Sequence, residues 1–141
     1  MLNLAKRVVS DGEGASKFIQ IDVLKCKTEE DAKKIGFSIA NSKLVKTAIS
    51  GEDPNWGRIM MAVGKADVDL NINSINLTIG NYKVLEKGQL SKNYSEQNLQ
   101  QYMKGDLINI VIEMNLGKKD FTCYTMDLTK KYVEINSDYR T

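Results

Sequence analysis

The sequence predicts an α/β layered domain built on a mixed, largely antiparallel sheet. Three observations lead there. Runs alternating with period two, such as Ile19/Ile21/Val23 and Ile108/Ile110/Ile112/Met114, are interleaved with segments of helical spacing. Apolar residues make up 42% of the 141 positions, enough to build the core of one domain. The connections carry turn residues, with no internal repeat, low-complexity tract or second domain, so residues 1–141 read as a single unit.

Leu2, Leu4, Ala5, Val8 and Val9 recur at helical spacing, which predicts a helix over 2–9. Nothing caps its start, and Met1 falls directly on the apolar pattern, as in a fragment that begins partway through an element. Ser10-Asp11-Gly12-Glu13-Gly14 then turns the chain and leaves Glu13 at the tip. Taken alone, this turn reads as a solvated loop. The spacing of Gly12, Gly14 and Lys17 fits no phosphate-binding loop. A strand over 16–26 follows, with Ile19, Ile21 and Val23 on one face.

Thr28-Glu29-Glu30-Asp31 resembles a capping box with Asp in the usual Glu position. It opens a helix over 29–41 with Ala32, Ile35, Ile39 and Ala40 inward. Gly36 in its middle marks close packing on a neighbour. The apolar run Leu44 to Ile49 reads as a strand over 43–50. Strands are expected also at 74–79 and 82–86, joined by a Gly80-Asn81 turn, and at 106–115 and 119–128, the last returning antiparallel after a turn at Asn115 to Lys118. Residues 86–94 read as a lysine-rich loop. Ser95 caps a helix over 96–104 that Gly105 stops, and Thr129 caps a last helical turn over 130–135.

The stretch Thr47 to Gly64 holds the only proline, Pro54, and the only tryptophan, Trp56. It packs Glu52, Asp53, Asn55 and Arg58 into seven residues. Asp53 followed by Pro54 suits a helix start, predicting strand, tight polar turn and a helix over 54–63, with Gly64 ending it. Polar groups at a helix N-terminus commonly sit at a site. The same residues read equally as an elaborate cap with Trp56 in the core.

Composition narrows the chemistry. Twenty basic and 18 acidic side chains give a net charge of +2, an ordinary surface without a nucleic-acid or membrane footprint. No apolar run approaches the roughly 20 residues of a membrane span, and no cleavable targeting signal is visible. Histidine is absent, which excludes Ser-His-Asp and Cys-His nucleophile systems and removes the commonest metal ligand. Cys26 and Cys123 lie far apart in strand-like runs. They read as two buried free thiols of a reducing compartment, although sequence alone leaves pairing open.

Four motifs, in order, carry a resemblance over essentially the whole chain. They are Leu4 to Phe18 (LAKRVVSDGEGASKF), Ala40 to Ala48 (ANSKLVKTA), Gly51 to Arg58 (GEDPNWGR), and Asp127-Leu128-Thr129 leading to Ile135 to Thr141 (INSDYRT). Together they resemble the bifunctional ornithine acetyltransferases (glutamate N-acetyltransferases) of arginine biosynthesis. The resemblance implies that family's layered fold and a cytoplasmic enzyme. In that family a precursor cuts itself ahead of a threonine, which becomes the nucleophile of the second, beta subunit, with its own α-amino group as base. It implies acetyl transfer from N-acetylornithine to glutamate, no cofactor, acetyl-CoA as a second acetyl donor, and an oligomer.

The sequence also departs from the family. None of its seven threonines stands in a small-residue-Thr-Met setting, and the oxyanion donors of the alpha subunit lie elsewhere. The chain therefore resembles the C-terminal part of the beta subunit, without a catalytic residue of its own. Its partners would be the alpha subunit and the rest of beta. By the same resemblance Glu13, Asn136 and Thr141 are substrate-binding, suited to the cationic side chain and α-carboxylate of ornithine. Asp53, Asn55, Trp56 and Arg58 are expected to support the layer beneath them. A non-catalytic assembly domain derived from the same family is the competing reading.

Overall fold

The computed structural model describes residues 17–127. The helices expected at 2–9 and 130–135, with Glu13, Asn136 and Thr141, lie outside the described residues.

Within them, the architecture is one six-stranded mixed sheet with helices packed on one face. The strands are β1 (Phe18–Cys26), β2 (Asn76–Ile79), β3 (Tyr82–Glu86), β4 (Gln89–Leu90), β5 (Leu107–Glu113) and β6 (Lys119–Met126), in spatial order β4-β3-β2-β5-β1-β6. The helices are α1 (Glu29–Ala40), α2 (Lys43–Ser50), α3 (Trp56–Gly64) and α4 (Glu96–Tyr102), with a short 3-10 turn at Ile72–Ser74.

Alternation along the strands sorts the sheet into two faces. Ile19, Ile21 and Val23 of β1 align with Ile108, Ile110 and Ile112 of the parallel β5, and Leu77 and Ile79 extend the same face into β2. All eight are buried beneath the helices. The opposite face carries Gln20, Asp22, Asn109 and Thr122, where Asp22 accepts hydrogen bonds from Asn109 Nδ2 (3.0 Å), Gln20 Nε2 (3.1 Å) and Thr122 Oγ1 (2.7 Å).

The Thr28 cap forms as expected: its hydroxyl accepts from Asp31 N at 3.0 Å, and three acids in the first turn of α1 suit the helix dipole. Ala32, Ile35, Ile39 and Ala40 are buried. A Cβ on Gly36 would stand 3.1 Å from the Phe121 ring and 3.2 Å from Cys123 Sγ, so the missing side chain lets α1 lie directly on β6.

Three expectations are corrected. Residues 43–50 form a helix, not a strand. Ser42 accepts from Val45 N at 3.2 Å, and the buried residues Val45, Ala48 and Ile49 recur at helical spacing while Leu44 faces outward. The runs at 106–115 and 119–128 are both strands, but they do not pair with each other. β1 lies between them, parallel to β5 and antiparallel to β6. Met114 to Lys118 spans the two inter-strand gaps, about 9.6 Å, with Leu116 N donating to Lys25 O at 2.8 Å on the way. The lysine-rich loop contains strand β4, because Lys87 and Gly88 both adopt positive φ (51° and 75°), the requirement of a two-residue hairpin turn.

Candidate functional site

The first and last described residues meet at one corner of the sheet. Lys17 precedes β1 and Asp127 follows β6. Because these strands are antiparallel neighbours, the two residues are brought side by side. Lys17 N donates to the Asp127 carboxylate (3.0 Å), and Asp127 N donates to Lys17 O (3.2 Å). Both residues are buried. A buried ammonium is unfavourable unless it is paired and hydrogen-bonded. Lys17 Nζ meets that need by donating to Gly105 O at 2.8 Å and to Glu52 Oε2 at 3.2 Å.

Glu52 reaches that position through the turn between α2 and α3. It holds a left-handed conformation, φ 58°, uncommon outside glycine. The turn is closed by Glu52 N donating to Ile49 O (2.9 Å) and Asp53 N donating to Ala48 O (2.8 Å). The motif thus joins two helices, where a strand and a helix were expected. Asn55, not Asp53, caps α3: its side-chain oxygen accepts from Arg58 N at 3.2 Å, and its amide donates to Asp53 Oδ2 at 3.3 Å. Proline is accommodated before the cap, and Pro54 is buried. Arg58 Nη1 donates to Leu44 O at 2.9 Å, tying α3 to the start of α2. Trp56 is half-buried against the core beside an apolar hollow of about 240 Å³ lined also by Met60, Leu70, Ile72 and Leu85.

Asp53, Asn55, Trp56 and Arg58 are therefore brought together in one clasp. Its link to the corner of the sheet is Glu52. Lys17 and Asp127 stand within the recognised motifs, but sequence reasoning gave neither a role. The available signal was a lysine three positions past the Gly-Glu-Gly turn and just ahead of an apolar strand. The two thiols offer no nucleophile at neutral pH. Burial is the main cause pushing Cys26 and Cys123 up to about 11, with Asp31 and Asp120 adding to the first and Asp22 to the second.

The family model described as the ArgJ family matches residues 1–141. The chain belongs to the ArgJ family. It is 49% identical over 141 residues to the arginine biosynthesis bifunctional protein ArgJ of Ruegeria pomeroyi, covering all of this chain and 35% of that relative. The proteins of the same name from Brucella melitensis and Bacillus anthracis are 46% and 43% identical, each over 99% of this chain and 34% of their own length. The chain thus spans about a third of the length of these ArgJ relatives. A crystal structure of arginine biosynthesis bifunctional protein ArgJ from Bacillus halodurans shares the fold, with a TM-score of 0.88 and 36% identity over 97% of this chain and 64% of that one. Among the described residues, no helix is long and apolar enough to cross a membrane, and no group of three or more His, Cys, Asp or Glu could hold a metal ion.

Proposed function

We propose that this ArgJ-family chain is the C-terminal, substrate-binding part of an N-terminal-threonine acetyltransferase. The enzyme moves acetyl from N-acetylornithine to glutamate, in the cytoplasm. Glu13, Asn136 and Thr141 read the substrate. The nucleophilic threonine and the oxyanion donors come from other polypeptide, the alpha subunit and the remainder of beta. Asp53, Asn55, Trp56 and Arg58 hold the turn that carries Glu52.

One observation supports this reading above the others. The segment bearing Glu13 joins the described body at Lys17, the segment bearing Asn136 and Thr141 joins it at Asp127, and those residues are hydrogen-bonded to each other. Glu13 is four residues from that junction and Asn136 nine. A carboxylate from one segment and amide and hydroxyl groups from the other can thus converge on one amino-acid ligand. Placing substrate is only part of acyl transfer. Loss of a single oxyanion donor commonly lowers the rate about 10²–10³-fold, and without a nucleophile no acetyl-enzyme forms.

The test is acetyl transfer from N-acetylornithine, with mass spectrometry for a covalent adduct. The isolated 141-residue chain is expected to give neither turnover nor adduct. Supplying the remaining polypeptide, fused or co-expressed, is expected to restore activity, and Glu13→Ala is then expected to weaken substrate use. Turnover by the isolated chain, or full substrate use by the Glu13→Ala complex, overturns the reading.

A further inference from the structure

Lys17 joins three segments that are distant in sequence. Its ammonium donates to Gly105 O at 2.8 Å, between α4 and β5, and to Glu52 Oε2 at 3.2 Å, between α2 and α3. Its main chain exchanges hydrogen bonds with Asp127, after β6, at 3.0 and 3.2 Å. The next amide, Phe18 N, donates to Asp106 O at 2.8 Å. One residue is thus held from the β5 side, the β6 side and the helical layer at once.

We propose that Glu52 and Lys17 are positioning residues for substrate binding, Glu52 acting through Lys17. This rests on the reading of Glu13, Asn136 and Thr141 as substrate-binding and adds what aims the first of them. Lys17 is the root of the segment that carries Glu13. Four residues reach at most about 14 Å, so a displaced root passes its error to Glu13 with little chain to absorb it. The nine residues from Asp127 to Asn136 reach about 32 Å, and the tail is correspondingly more tolerant.

The buried ammonium is the lever. With Glu52 in place it has two acceptors inside the protein. Without that carboxylate it gains by swinging its flexible stem toward water. Such a swing pulls Lys17 N and O off Asp127, and the root of the Glu13 segment turns with them. The glutamate contributes little to folding from a position 44% exposed. Its left-handed φ of 58° would suit glycine better, so what glutamate adds there is its carboxylate. Nucleophile and oxyanion donors belong to other polypeptide in this reading. A misaimed Glu13 therefore weakens ground-state and transition-state binding alike, which raises KM and leaves kcat.

Steady-state acetyl transfer tests this, with the remaining polypeptide supplied and both N-acetylornithine and glutamate varied. Glu52→Ala is expected to raise KM for both substrates about tenfold, with kcat within about threefold. Glu52→Gln keeps an acceptor for the ammonium and is expected to recover most of that loss. Ile112→Val trims the buried core beside Val23, at the far end of β1 and β5 from Lys17. It is expected to leave both KM values within about twofold, which separates positioning from loss of stability. An unchanged KM in Glu52→Ala, a fall in kcat alone, or an equal rise in Ile112→Val overturns the inference and leaves the proposed function standing. A rise for one substrate alone also overturns it, because that marks direct contact instead of positioning. If Glu13→Ala leaves substrate use intact, the proposed function falls and the inference falls with it.

Discussion

The Lys17 ammonium, buried at the start of β1, lies 3.2 Å from the carboxylate of Glu52, a residue held at φ 58° in the turn between α2 and α3. The contact joins the sheet corner to the clasp. Its two partners differ in exposure, 5% for the lysine side chain and 44% for the glutamate, so they should respond unequally to mutation. Lys17→Met keeps the apolar stem but withdraws the donor from Gly105 O, and is expected to lower stability by about 1–3 kcal/mol. Glu52→Gln is expected to lower it by less than about 1 kcal/mol, because solvent screens the pair from the glutamate side. Urea denaturation midpoints check both. Equal losses, or the opposite order, would show that the exposed partner carries the contact.

Gly80 turns β2 into β3 at φ +62°, and a Cβ there would stand 2.6 Å from the Tyr102 ring. Tyr102 has little freedom to retreat, since its hydroxyl accepts from Asn109 N at 3.0 Å. Gly80→Ala is expected to lower stability by about 2–3 kcal/mol through combined strain and crowding. Thermal unfolding measures the loss, and an unchanged melting temperature would mean that α4 moves freely.

Trp56 is half-buried, so truncation should cost less than the about 3–5 kcal/mol typical of a fully buried aromatic residue. About 2 kcal/mol is expected for Trp56→Ala, mostly from opening the hollow beside Met60 and Leu70 to solvent. Chemical denaturation followed by circular dichroism gives the value. A loss below about 0.5 kcal/mol would show that the indole contributes no packing.

Both cysteines have thiols raised to about 11. The folded state therefore holds these protons more tightly than the unfolded chain does. Their contribution is fully present below the ordinary thiol pKa, near 9, and is lost as pH rises toward 11. Stability is expected to fall across that window, and less steeply in a Cys26→Ala/Cys123→Ala variant. At pH 8 a thiol reagent should label the native chain slowly and the denatured chain at once. Rapid labelling of the native protein would contradict the burial.

Much of this fold was legible because local signals agreed. The Thr28 cap, the Gly80 turn and the alternation of β1 and β5 each used one physical rule. The misread helix at 43–50 shows where such rules compete: six largely apolar residues suit either a buried strand or a helix face. The deciding signals were Ser42 as a cap and the outward Leu44. The separation of β5 from β6 was not local at all. Neighbouring alternating runs pair readily as a hairpin, and only the burial gained by seating β1 between them selects the observed order. At the candidate site, family motifs pointed to Glu13 and the tail. The Lys17–Glu52 link joins residues 35 positions apart, and nothing in either segment announces the other.

The arrangement of β1 and β6 also sets how the domain yields to force. Tension drawn between Lys17 and Asp127 acts across the strands, not along them. It loads the pairs one after another, first Phe18 with Met126, then Ile19 with Thr125. The strands therefore unzip under low force instead of shearing together. β6, at the edge of the sheet among the described residues, peels away while β1 stays fastened to β5.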